Sequence, residues 1–310
     1  MAQALANLVI AGVTKAGTTS LFAYLAQHPD VFAPAGKEVN YFSPLIYGRQ
    51  PAGLERYAAH YEKAGPQPWR LDASPSYFVG GATVAHAVRD TLGRPRVLIL
   101  LRNPVTRLWS SYTYKRSKGH LPREMDFSAF VDACCTHYRQ GTDKRPENAH
   151  FLTLRTGMYS QFLGAWLETF GADLRVVFAE DLAASPRDVV RAVLRWLDVA
   201  DEPLDTFDLA RHNTTQQPRS VLVRRVGYGL NRVLSRVISD RSRLKSGLRS
   251  LYARTNTAPL AEVLTDRDRE RVRAIYAPSV AECAALLRRH GYSGMPSWLD
   301  AAIGEDRRAP

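Results

Sequence analysis

The chain has 310 residues, 45% of them hydrophobic, with a formal net charge of +12 and an isoelectric point near 9.8. That composition excludes bulk disorder and allows a large core, built as one α/β domain or as a domain with appended helices. The basic balance points to an anionic ligand, an anionic acceptor, nucleic acid or a membrane surface, without choosing among them. Cys134 and Cys135 are adjacent and Cys283 stands apart, which excludes a paired disulfide framework and zinc-type spacing and indicates a reducing compartment.

Leu8 to Ala11 form an apolar run suited to a buried strand, and the chain then breaks into Gly12-Val13-Thr14-Lys15-Ala16-Gly17 followed by Thr18-Thr19-Ser20. Leu21, Phe22 and Leu25 begin a helical face, so a helix is predicted over 18–27, ending before His28-Pro29-Asp30 because proline disfavours helix at the preceding residue. The start lacks a basic n-region and runs straight into this glycine loop, and no apolar stretch is long enough to span a bilayer; a soluble, cytoplasmic protein is expected. A loop with Pro34 and Gly36 leads into Lys37-Glu38-Val39-Asn40-Tyr41-Phe42. Next come an amphipathic helix over 54–62 and a short strand over Trp69 to Asp72.

Arg96 to Leu101 is a continuous β-prone run, as expected of a parallel strand covered on both faces, and Pro104 suits the start of the helix that follows over 105–117. Further helices are predicted over 127–139, 158–170 and 186–198, with a strand at Leu174 to Phe178. The alternation predicts an α/β, P-loop-like three-layer fold, with a central parallel sheet flanked by helices and a helical C-terminal region.

Beyond Asp208 the strand signal fades. Residues 219–254 carry ten Lys or Arg against one acidic residue, Asp240, which fits a lid, a membrane contact through Val221, Leu222, Val226, Leu230, Val233 and Leu234, or two solvated helices. A long helix over 264–289 has Val272, Ile275, Tyr276, Val280, Cys283 and Leu286 on its apolar face. The expected division within 1–310 is an α/β nucleotide-binding core over 1–210, a basic helical insertion or lid over 211–260, and a C-terminal helix packing on the core over 261–305.

The Gly12-x4-Gly17 spacing approaches a kinase-type phosphate loop, but that loop needs lysine directly after the second glycine, where this chain has Thr18. With the lysine inside the loop, backbone N–H groups, a helix N-terminus, Lys15 and the hydroxyls make an anion cradle; an ordinary glycine turn is the plainer alternative. Arg102 at a strand end and Ser110 on the next helix can clamp a phosphate, or serve as a surface ion pair and a solvent-facing serine. Gln217-Pro218-Arg219-Ser220 fits a segment that closes over a nucleotide and equally a linker. Glu38 is a general-base candidate and otherwise half of a solvated Lys-Glu pair. Asp72 is a second carboxylate candidate, or a turn cap. None of the eight histidines has a partner at metal-helix spacing, so metal-free chemistry is expected.

Thr14-Lys15-Ala16-Gly17-Thr18-Thr19-Ser20-Leu21 resembles the 5′-phosphosulfate loop of sulfotransferases that use 3′-phosphoadenosine 5′-phosphosulfate (PAPS), and Leu101-Arg102-Asn103-Pro104 through Arg107, Ser110, Ser111 and Tyr112 resembles their 3′-phosphate motif. His28-Pro29-Asp30, Lys37 to Ser43, Ser74-Pro75-Ser76-Tyr77-Phe78 and Gly157-Met158-Tyr159 are similar to the heparan sulfate N- and O-sulfotransferase group and its bacterial relatives. The likeness covers roughly residues 7 to 220. It implies that Lys15 contacts the bridging oxygen of the phosphosulfate and that Ala16, Gly17, Thr18, Thr19 and Ser20 hold the 5′-phosphate. Arg102 and Ser110 would hold the 3′-phosphate, Tyr159 would lie at the nucleotide, Arg219 would help close its site, and Glu38 matches the family's base. Tyr41, Phe42, Asp72 and Tyr77 are the acceptor-side candidates.

O-sulfating members often carry lysine just before the Thr-Pro-Ser-Tyr-Phe phrase and histidine two residues after the glutamate; Ala73 and Asn40 stand there. The acceptor thus stays open between a glycan, anionic or lipid-linked acceptors and a small natural product. Nucleic acid is not expected, and peripheral membrane contact through 219–254 remains possible on charge. The alternatives are a basic nucleic-acid or membrane-surface binder and a P-loop kinase, the latter disfavoured by the missing Gly-Lys-Thr triplet and the lack of a magnesium-holding carboxylate.

Overall fold

The computed structural model describes residues 4–122, 124–210, 217–218, 257–258 and 262–300. Five strands form one parallel sheet: β1 (Leu8–Gly12), β2 (Val31–Phe32), β3 (Trp69–Ala73), β4 (Arg96–Leu101) and β5 (Leu174–Phe178), in the order β2-β3-β1-β4-β5. Leu8 to Ala11 and Val97 to Leu101 are fully buried, as their unbroken apolar sequences require of strands covered on both faces.

Strand order reverses at β1. The chain leaves β1 through α1 (Thr18–Leu25) toward β2 and β3, then returns past β1 through α3 (Gly81–Leu92) to β4 on the other side. Right-handed crossovers therefore assign α1 and α3 to opposite faces of the sheet. α8 (Pro186–Trp196), which follows the short α7 (Ala179–Ala184), packs on α1. α6 (Ser160–Phe170) packs on α3, and the 24-residue α9 (Asp266–Arg289) lies across α6 and α4 (Pro104–Ser117). The expected three-layer architecture is the one found. α5 (Phe127–Arg139) and α10 (Ser297–Asp300) complete the helical set among the described residues.

Several predicted elements differ in extent. The helix expected over 54–62 is α2 (Leu54–Ala58) followed by a 3-10 turn at Ala59–Tyr61, and Tyr57 and Tyr61 are buried together from it. α3 and α7 were not anticipated. Gly80 and Gly81 open α3, and its buried stripe is only Gly81, Val84, Ala85 and Val88, too small and short a pattern to stand out. Gln217–Pro218 pairs antiparallel with Thr257–Ala258, a ladder of two residues a side. The basic segment 219–254, Arg219 included, lies outside the described residues. Glu262, where description resumes, accepts from the Tyr112 hydroxyl at 2.5 Å, Arg116 Nη1 at 3.2 Å and the Phe127 N–H at 2.8 Å. Among the described residues no helix is long and apolar enough to cross a membrane.

The tightest constraint on the sheet's carboxyl edge is at Gly12, where an added Cβ would lie 2.6 Å from the Cβ of Phe78. Gly12→Ala must push the Tyr77–Gly80 turn away from β1, a cost of about 1–3 kcal/mol by the usual penalty for overpacking. Urea unfolding should record that loss, and an unchanged midpoint would show that the turn yields freely.

Candidate active site

The loop from Val13 to Gly17 joins β1 to α1 at the strand-order reversal, the crevice where open parallel sheets bind ligands. The Val13 N–H donates to the Leu100 carbonyl at 2.9 Å, tying the loop to β4, and the Ala16 N–H donates to the Val13 carbonyl at 3.2 Å. Lys15 (φ 69°) and Gly17 (φ 89°) take left-handed conformations that turn the chain tightly enough for α1 to begin at once. Gly17, the N-cap of α1, has no side chain to cap the helix, and the positive end of the helix dipole follows directly on Lys15. Ala16, Thr18 and Ser20 are buried, Thr19 is partly buried and Gly17 is exposed.

Arg102, just past β4, forms the opposite wall. Its Nη1 donates to the Lys15 carbonyl at 3.1 Å and its Nε to Thr106 Oγ1 at 3.1 Å. The next residue starts α4: Asn103 Oδ1 accepts from the N–H groups of Val105 at 3.0 Å and Thr106 at 3.4 Å, with Pro104 at the first helical position. Along α4 the residues Thr106, Ser110, Tyr114 and Lys118 recur every fourth position and so share one face. Thr106 touches Arg102 at one end of this row. Toward the other, Lys15 Nζ lies 4.2 Å from the Tyr114 ring centroid and Lys118 Nζ lies 5.6 Å from it. Ser110 sits between them, partly exposed.

Cations outnumber anions here, and the electrostatics follow. Burial, with the charges of Arg102, Lys118 and Lys37, brings the Lys15 ammonium down from 10.5 to about 8, against an opposing pull from Glu38. Lys37, Tyr114 and Lys118 were not among the sequence candidates as site residues. The four-residue repeat along α4 was the signal that would have found the last two.

The 37–42 segment lies beside this cluster. Glu38 is half exposed, adopts φ 70° and pairs with Lys37 Nζ at 2.9 Å. Tyr41 is partly exposed and stacks on Tyr57 with centroids 4.7 Å apart. Phe42, Asp72 and Tyr77, expected at the acceptor, are instead fully buried beneath the loop. Asp72 is saturated by hydroxyls: Ser74 Oγ donates at 2.7 Å, Tyr77 at 2.9 Å and Tyr57 at 3.0 Å. Burial raises its carboxyl above the ordinary range while these three donors pull the other way. It is a floor for the site. Tyr159, expected at the nucleotide, is also buried, and its hydroxyl donates to the Arg102 carbonyl at 2.6 Å, steadying the strand end from below.

Removing the carboxylate in Asp72→Ala strands three buried hydroxyls. The expected destabilisation is about 3 kcal/mol or more, with a smaller loss in Asp72→Asn, which keeps an acceptor oxygen. Equal unfolding midpoints for the two variants would show that the acceptor atoms are immaterial.

Known proteins resemble this chain in sequence and fold. The chain is 27% identical over 205 residues to heparan sulfate glucosamine 3-O-sulfotransferase 5 from Homo sapiens, covering 64% of this chain and 55% of that protein. It is 32% identical over 193 residues to heparan sulfate glucosamine 3-O-sulfotransferase 6 from Homo sapiens, covering 61% and 51% respectively. A bifunctional heparan sulfate N-deacetylase/N-sulfotransferase from Drosophila melanogaster is 26% identical over 232 residues, 68% of this chain and 21% of that one. The chain thus spans about half the length of the two human relatives. Its fold is that of a sulfotransferase from Alicyclobacillus acidocaldarius, with TM-score 0.67 and 21% identity over 95% of this chain and 99% of the other. With residues 5–255 matching the sulfotransferase domain, the chain belongs to the sulfotransferase domain family.

Proposed function

We propose that the protein transfers a sulfuryl group from PAPS to a hydroxyl or amine of a carbohydrate or small-molecule natural product, by in-line displacement with Glu38 as general base. The observation that carries this reading is the contact between Arg102 and the Lys15 loop, which joins two cationic half-sites into one. A nucleotide with a phosphate on its 3′ oxygen and a phosphosulfate on its 5′ oxygen presents an anion to each half. The positive end of the α1 dipole and Lys15 suit the 5′ end, and Arg102 with Ser110 suits the 3′-phosphate. Arg219 as a closing residue, and 211–260 as an insertion or lid, belong to the same proposal.

In the transfer Glu38 takes the acceptor's proton while the acceptor oxygen or nitrogen forms a bond to sulfur. The bond from sulfur to the bridging oxygen breaks, and its electron pair stays on the 5′-phosphate of the departing adenosine 3′,5′-bisphosphate. Lys15 stabilises the charge that develops there. The relatives' names support a carbohydrate acceptor, and the surplus of lysines around Lys15 favours an anionic one. Three free cysteines support a reducing compartment such as the cytoplasm.

Adenosine 3′,5′-bisphosphate should raise the melting temperature markedly and ATP with magnesium only weakly; the reverse order would overturn the reading. Because the free Lys15 ammonium titrates near 8 and a bound phosphate raises it again, binding takes up as much as about half a proton at pH 8 and about nine-tenths of one at pH 9. Affinity then falls as pH rises beyond 8. Calorimetry in buffers of different ionisation enthalpy measures the uptake, which should shrink in Lys15→Met.

Glu38→Gln should keep bisphosphate affinity and lose about 10²- to 10⁴-fold in kcat, the usual worth of a general base. Turnover at the wild-type rate would move the base elsewhere. Mass spectrometry of candidate acceptors incubated with labelled PAPS supplies the assay.

A further inference from the structure

Glu38 and Asn40 both have positive φ, 70° and 55°, so two non-glycine residues within three hold left-handed backbone. Such a conformation persists only where surrounding structure enforces it. Five hydrogen bonds at Asn40 do the enforcing, one of them from the Ser43 N–H to the Asn40 carbonyl at 3.1 Å. Its N–H donates to Ser74 Oγ at 2.9 Å, and its Nδ2 donates to the Glu38 carbonyl at 3.0 Å. Its Oδ1 accepts from Ser43 Oγ at 3.2 Å and from Ser76 Oγ at 3.0 Å. The two serine hydroxyls are themselves 2.7 Å apart, so two protons serve three short contacts and the amide oxygen stays satisfied as they rearrange. This network also fixes which way the amide points, because a flipped group would set an oxygen against the Glu38 carbonyl.

The chain of contacts ends in the sheet. Ser74 Oγ donates at 2.7 Å to Asp72, whose backbone is paired in β3 opposite Val9 of β1. The central strands are therefore linked through Asp72, Ser74 and the Asn40 amide to the main chain of Glu38. Lys37 is the only ion-pair partner of Glu38 among the described residues, and it reaches the carboxylate from the neighbouring position, so it cannot hold the loop against the sheet.

We infer that Asn40 is a positioning residue for the base: its side chain clamps the Glu38 backbone to the Ser74–Ser76 turn and so fixes where the carboxylate meets the acceptor. The inference rests on the reading of Glu38 as general base. Asn40 acts through Glu38 rather than on the substrate, and its contribution is geometric, of the kind in which a displacement of about 1 Å costs on the order of 10²-fold in rate.

Two substitutions separate side chain from backbone. Asn40→Gly accepts φ 55° without strain and keeps the N–H to Ser74 but deletes the amide; Asn40→Asp keeps an acceptor for both serines but cannot donate to the Glu38 carbonyl. Both should lower kcat by about 10- to 100-fold, leaving bisphosphate affinity within about twofold and the acceptor KM little changed. The decisive measurement is a double-mutant cycle. If Asn40 acts through Glu38, Asn40→Gly costs kcat in the wild-type background and nothing further in Glu38→Gln. Equal losses in both backgrounds, or wild-type kcat in Asn40→Gly, would overturn the inference. Should Asn40→Gly fail to fold, Ser76→Ala removes one of the two donors to Oδ1 and enters the same cycle with the same required non-additivity. Full turnover by Glu38→Gln alone is a different result, one that removes the base itself.

Discussion

Everything at the carboxyl edge of the sheet depends on the grip of Arg102 on the Lys15 carbonyl. A parallel sheet brings the ends of β1 and β4 side by side but leaves the loops beyond them independent. Here the strand-end guanidinium crosses that gap, and a second bond to Thr106 carries the link onto α4. The loop, the strand end and the helix become one unit whose cations face a common space. Repulsion among Lys15, Arg102, Lys37 and Lys118 is the cost of that assembly. Together with burial, the larger cause, it gives an ammonium that releases its proton more readily than a lysine in water. Such a cluster of like charges favours an anion in the space they share.

The carboxylates are treated in opposite ways. Asp72 is sealed under the site with every oxygen engaged by hydroxyls, whereas Glu38 is left half in solvent on a loop whose backbone is tightly held. A buried, saturated carboxylate is a poor base and a good anchor; an exposed one on a rigid mount can meet a substrate proton. The contrast between the two carboxylates thus comes from burial and hydrogen-bond saturation rather than from residue type.

Much of this was legible in the sequence because it is local. The run Leu8 to Ala11, the glycines and the hydroxyl cluster lie within thirteen residues, and the Arg96–Leu101 strand is a single apolar block. Phe42 and Tyr77 are acceptor-side candidates in the sequence and Tyr159 a nucleotide-side one, because aromatic residues near a motif look the same whether they stack on a ligand or support the floor. Asp72 could not be assigned for a related reason: one of its donors, Tyr57, comes from a helix fifteen residues earlier. The clamp at Asn40 was equally hidden, since it joins side chains thirty-four and thirty-six residues apart in sequence, a closeness created only when β3 lies beside β1.

Helix α4 carries two jobs in neighbouring registers. One row, Thr106, Ser110, Tyr114 and Lys118, serves the site, while Arg107 and Ser111 are buried one position along, and Lys115 Nζ reaches back to Ser111 Oγ at 3.1 Å. A single inserted residue rotates everything beyond it by about 100°. Such an insertion before Ser110 would drive Tyr114 and Lys118 toward the core and swing the interior cation outward, damaging stability and ligand contact together. In this chain the interval from Asn103 to Lys118 therefore tolerates a change of residue far better than a change of length.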